Sequence, residues 1–153
     1  MPTTDEIKGN SMRSRLATLL KILCYKTNAC DFIEKNENIL SNNIEKHHFF
    51  PRKLVYKHYP ERADLLPNCV YITSMTNKKI GSKEPYEYIN EFGITKYELM
   101  AHLIPLDESL YRLSKYEKFL ERRAELIYRA VESYVSNLEQ NKNELNIREI
   151  YEI

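Results

Sequence analysis

Two histidines in succession, His47 and His48, open the run His47-His48-Phe49-Phe50-Pro51. Two asparagines follow, Asn68 and Asn77, nine residues apart. Imidazole accepts protons near neutral pH and ligates divalent metals. The oxygen of a carboxamide suits hard cations such as Mg²⁺ or Mn²⁺, and a His ligand also tolerates Ni²⁺, Co²⁺ or Zn²⁺. Hydrolysis of a phosphodiester needs an activated water, a cation against the phosphate charge and help for the departing oxygen. A His-His pair with a distant Asn offers the first two. The competing use of these residues, a structural zinc held by His47, His48, His58 and Cys69, fits no common zinc spacing.

The local charge agrees with an anionic substrate. Between Lys46 and Lys83 lie eight Lys or Arg and two acids, a segmental charge of +6 in a chain whose total is +1, so the remainder carries −5. A run of charge is usually a solvated face. Here it coincides with the His and Asn residues, as phosphate contact requires. Arg52, Lys53 and Lys83 are candidate backbone contacts, and Lys78 and Lys79 adjoin Asn77.

A chain of 153 residues fits one domain. Three glycines argue against a glycine-rich phosphate loop, and abundant Leu, Glu, Lys and Arg favour helix. Cys24, Cys30 and Cys69 form no Cys-x-x-Cys pair, which speaks for reduced thiols in a cytoplasmic protein rather than a disulfide framework. The polar start Pro2-Thr3-Thr4-Asp5-Glu6 does not read as a signal peptide. The longest apolar stretch, from Leu16 to Cys24, is too short to span a bilayer.

The elements that must position these residues follow from periodicity and punctuation. Ser11 can cap a helix from about Met12 to Tyr25. Ile44 to Phe50 reads as a strand ended by Pro51, with a helical turn over Arg52 to Tyr59. Asn68 to Thr73, rich in β-branched and aromatic residues, is the clearest strand. Ser74 or Thr76 can start a helix carrying Asn77 that Gly81 stops. Downstream, Pro85, Thr95 and Asp107 each open a helix, and one face of about Ser114 to Gln140 stays apolar through several turns, broken by Arg123. That long helix reads as core cover before it reads as a partner-binding surface. His58 reads as exposed, His102 as structural and Glu45 as a surface carboxylate.

These residues carry a resemblance. His47-His48-Phe49-Phe50-Pro51, Asn68 and Thr76-Asn77-Lys78-Lys79 resemble the HNH endonuclease motif on a ββα-metal hairpin. Leu65-Leu66-Pro67-Asn68-Cys69-Val70-Tyr71-Ile72, His102-Leu103-Ile104-Pro105 and Phe119-Leu120-Glu121-Arg122-Arg123-Ala124 are similar to the C-terminal nuclease domain of GmrSD-type modification-dependent restriction enzymes. The resemblance implies an α+β, mostly helical fold. A ββα centre would occupy about 43–84, helices would cover it at 11–35 and 85–140, and a flexible 1–10 and a polar tail 141–153 would flank the domain. It implies a DNA endonuclease in restriction or phage defence, with RNA sharing the same backbone chemistry, acting as monomer or homodimer. A ParB-like nucleotide-using domain or subunit would be its partner. The alternative is an inactive nucleic-acid-binding module of a restriction complex. By the same resemblance His48 is the general base, His47 and Asn77 hold one divalent ion (Mg²⁺ first), Asn68 orients the His48 ring, and Lys78 or Lys79 holds phosphate. Neighbours on a regular strand face opposite ways, so a shared site predicts a bulge at Lys46–Phe49, and a flat, regular strand with the two rings on opposite faces would count heavily against the assignment.

Overall fold

A computed structural model describes residues 1–153. The fold is α+β and mostly helical, around a two-stranded antiparallel hairpin. Helices α1 (Thr4–Gly9) and α2 (Arg15–Lys26) lead to strand β1 (Ile44–His48) and the short helix α3 (Arg52–Tyr56). Strand β2 (Cys69–Thr73) runs directly into α4 (Ser74–Ile80). Then follow α5 (Pro85–Glu91), α6 (Lys96–Ala101), α7 (Tyr116–Glu139) and α8 (Ile147–Tyr151). No helix is long and apolar enough to cross a membrane.

The hairpin is the partition of the molecule. Cys69, Val70, Tyr71, Ile72 and Thr73 are all buried, because β2 is covered on both faces. Ile44, Cys69 and Tyr71 join one cluster with Leu20 and Leu23 of α2 and Ile127 and Val131 of α7. Val70 and Ile72 join a second with Phe49, Ile80 of α4, Tyr88 of α5 and Phe119 of α7. A strand buried on both sides reads as a continuous apolar run rather than an alternating one. In the second cluster Phe49 stacks on Phe119, ring centroids 4.9 Å apart, and the Tyr88 hydroxyl donates to Phe49 O at 2.6 Å. The residue after the paired histidines is thereby fixed in the core.

Both termini correct the sequence reading. Residues 4–9 form a helix with a Thr3–Glu6 capping box, and Ile7 is buried against α7, where the sequence reads a flexible 1–10. The tail after Gln140 carries α8, whose Ile150 is buried and whose Tyr151 hydroxyl donates to Ile104 O at 2.7 Å. The first long helix begins after Ser14, not after Ser11, whose backbone bridges to Leu65 instead. Pro85 and Thr95 open α5 and α6 as expected, and Asp107 opens a 3₁₀ turn where a helix was expected.

His102 is structural, as read from the sequence. Its Nε2–H donates to Cys30 O at 2.5 Å, its ring tilts against Phe32, and its Nδ1 has no partner. Burial is the chief reason its pKa falls to about 4 from an ordinary 6.5. The unfolded chain therefore binds this proton more readily than the folded one between those values. Stability should be intact above pH 6.5 and decline as the pH falls toward 4, by up to about 3 kcal/mol from this group. Thermal melts from pH 7 to 4 check the slope, which should flatten in His102→Gln.

Candidate active site

The ladder sets His47, His48 and Asn68 at one end of the hairpin, where His48 pairs with Cys69, while α4 and its Asn77 start from the opposite end, where Thr73 pairs with Ile44. Paired residues of an antiparallel ladder share a face. His47 pairs with Val70 and Glu45 with Ile72, so both lie on the face of the second cluster, where α4 packs against the two strands. His48 pairs with Cys69 and lies on the other face.

Helix α4 is locked at its start and its end. The Thr73 hydroxyl accepts from Thr76 N at 3.1 Å. The buried carboxylate of Asp31 accepts from Thr73 N at 2.7 Å and from the Thr76 hydroxyl. At the far end Gly81 takes φ +59°, a conformation glycine adopts without strain, and its N–H closes on Asn77 O at 3.1 Å. Asn77 thus sits half-buried in the middle of a short helix fixed at both ends.

His47 is the residue here with spare ligand capacity. Its Nε2 is buried and makes no hydrogen bond, although Glu45 Oε2 lies 3.3 Å away. Burial lowers its pKa below the ordinary imidazole value against the opposing pull of Glu45, so the neutral, metal-ligating form is favoured. No three His, Cys, Asp or Glu side chains converge as a closed metal site. His47 and Glu45 share this face, and Asn77 lies on the helix that packs against the strands.

His48 is held differently. Its Nε2–H donates to Asp64 Oδ1 at 2.7 Å, since an ionised carboxylate has no proton to give. Burial raises the Asp64 pKa, but the His48 hydrogen bond and the charges of His48, Arg52 and Arg13 outweigh it and hold the carboxyl below its ordinary value.

Two expectations are corrected. The strand is regular through His47 and His48, with every residue from Ile44 to His48 in register and Phe49 N donating to Asn68 O at 2.8 Å. There is no bulge at Lys46–Phe49, and by alternation the two rings take opposite faces. Nor does Asn68 orient the His48 ring. Its side chain accepts from Phe50 N at 2.7 Å and donates to Phe50 O and Ala63 O, each at 3.0 Å. The amide acts as one more rung of the ladder, so the chain bends after Phe49 instead of bulging before it. All of this leaves the ring to Asp64.

The basic residues divide. Lys53, Lys78 and Lys79 are exposed and form no ion pair, whereas Lys83 pairs with Glu91 at 3.2 Å and Arg52 lies 3.5 Å from Asp64. Lys53 and Lys57 line a cleft with Leu54, Tyr56 and Ser82 beside the end of α4. If this face holds a polyanion, Lys78→Ala and Lys79→Ala should each weaken binding of duplex DNA to a similar degree on any sequence and lower the slope of log K against log salt by about one. Salt titration of fluorescent duplex measures this, and an unchanged slope removes the lysine from the interface. Asp31 reads locally only as a turn former, and nothing local marks Asp64; these are the two carboxylates that position α4 and His48. The chain matches no protein-family model, no curated protein and no solved structure.

Proposed function

We propose that this chain is a metal-dependent HNH-type endonuclease that hydrolyses DNA phosphodiester bonds. What carries the proposal is one arrangement: a buried imidazole nitrogen of His47, with only the Glu45 carboxylate near it at 3.3 Å, on the hairpin face covered by the Asn77 helix, next in sequence to an imidazole oriented by a carboxylate. The local +6 charge between Lys46 and Lys83 suits a polyanion.

The opposite facing of the two histidines counts against one site shared by both rings, so the proposal gives them separate roles, His48 as the base and His47 with Asn77 as holders of the ion. When bound, the divalent ion would neutralise charge on the phosphate and the departing oxygen. His48 accepts the water proton, and Lys78 and Lys79 hold the flanking backbone.

One hairpin carries one such site, so a monomer should nick. Restriction or phage defence beside a nucleotide-using partner is the setting we infer from the resemblance. Incubation with supercoiled plasmid and Mg²⁺ or Mn²⁺ should give open circles, and chelator should abolish them. Binding without cleavage under Mg²⁺, Mn²⁺, Co²⁺, Ni²⁺ and Zn²⁺ would make the chain a binding module instead.

A further inference from the structure

We propose that Asp64 is the positioning residue for His48, fixing its ring as the Nε2–H tautomer with Nδ1 left to receive the proton of the attacking water. This deepens the endonuclease reading and rests on it.

The geometry is specific. Asp64 Oδ1 lies 2.7 Å from His48 Nε2, and the same oxygen lies 3.5 Å from Arg52 Nε. A carboxylate can only accept, so it selects the tautomer with hydrogen on Nε2. The bond to Asp64 is the one side-chain hydrogen bond His48 makes, and it uses Nε2, not Nδ1. The Asp64 backbone is pinned on both sides. Met12 N donates to Asp64 O at 2.8 Å, Leu66 N donates to Asn10 O at 2.8 Å, and Ser11 bridges to Leu65. On the other side the Asn68 amide donates to Ala63 O at 3.0 Å. The segment 10–12 thus holds the carboxylate from one flank and Asn68 from the other. A carboxylate that served only surface solubility would need no such mounting.

The chemical step balances with His48 and water alone. As the water oxygen bonds to phosphorus, its proton moves to Nδ1 and the bond from phosphorus to the sugar oxygen breaks. The departing oxygen takes a proton from solvent, and the imidazolium later releases its own. Asp64 holds the ring in one orientation and one tautomer while the proton arrives.

The test uses the full chain with Asp64→Asn and Asp64→Ala. Nicking under Mg²⁺ should show kcat lowered by about 10- to 100-fold, with KM for plasmid and the melting temperature close to wild type. Nitrogen-15 histidine spectra without metal, with His48 assigned by its loss in His48→Ala, should show Nε2–H in the wild type and a tautomer mixture in Asp64→Ala. A kcat within twofold of wild type, a loss that only tracks the unfolded fraction, or a His48 tautomer unchanged by Asp64→Ala would overturn the proposal. A wild-type chain that cuts nothing would sink the endonuclease reading instead, and the spectra would still decide the Asp64–His48 arrangement.

Discussion

His48→Ala should lower the rate of plasmid nicking by about 10²–10⁴-fold, the usual contribution of a positioned general base, while leaving affinities for duplex and divalent ion near those of the wild type. The separation follows from where the ring stands. His48 is on the face of β1 away from α4, tied to Asp64 and not to the donors around His47. Removing it takes away the proton acceptor without touching the buried Nε2 of His47. The fold should tolerate the change, because the ring is partly exposed and its partner Asp64 keeps Arg52 within 3.5 Å. His47→Ala should have the complementary phenotype, with weakened ion binding read by isothermal titration with Mn²⁺ and rate loss partly recovered at high Mn²⁺. Activity that survives His48→Ala would remove the base. An identical Mn²⁺ isotherm in His47→Ala would remove the ligand.

The hairpin and its helix were legible because their signals are local. Val70 to Thr73 is β-branched and aromatic without interruption, Ser74 or Thr76 can start a helix and Gly81 can stop it, so β2 and α4 fall close to where punctuation puts them, with Thr73 as the observed cap. The pieces that escaped are those whose cause is distant. Ile7 is a single apolar residue among Asp5, Glu6 and Lys8, and no periodicity can be read from one position. Its order comes from burial against α7. Ile150 in α8 is the same case. Asp31 reads as a turn former, and does cap its own turn at Ile33 N and Glu34 N. Its carboxylate also reaches forty-two residues on to Thr73. Asp64 meets His48 across sixteen residues of irregular chain. The missing bulge has the same origin: Asn68 fills the next rung with a side-chain amide, a substitution visible only once Phe50 and Asn68 are neighbours.

The largest structural effect should come from a residue that looked like a flaw in an apolar stripe. Arg123→Ala should destabilise the protein by about 3–5 kcal/mol, a large part of the 5–15 kcal/mol typical of a domain. Arg123 is fully buried and forms no salt bridge to a carboxylate. Its guanidinium is instead spent on carbonyls. Nε donates to Leu103 O at 3.3 Å, Nη1 to Pro67 O at 2.8 Å and to Cys69 O, and Nη2 to His102 O at 3.0 Å. Truncation strands four buried acceptors and opens a cavity the size of a long side chain. Burial works against the charged form and lowers the arginine pKa, yet guanidinium stays protonated in proteins, so the planar fork remains a multiple donor. Lysine offers a compact ammonium that cannot span the four carbonyls, so Arg123→Lys should fall between alanine and wild type. The carbonyls are not scattered. Pro67 and Cys69 flank Asn68, the amide that bends the chain after Phe49, and Cys69 is the ladder partner of His48. His102 and Leu103 tie the end of α6 to the same point. One side chain of α7 therefore sets the base of the hairpin on which both histidines stand. Urea unfolding of the variants measures the loss. If Arg123→Ala unfolds within about 1 kcal/mol of wild type, the carbonyl cluster is not what holds the hairpin to α7.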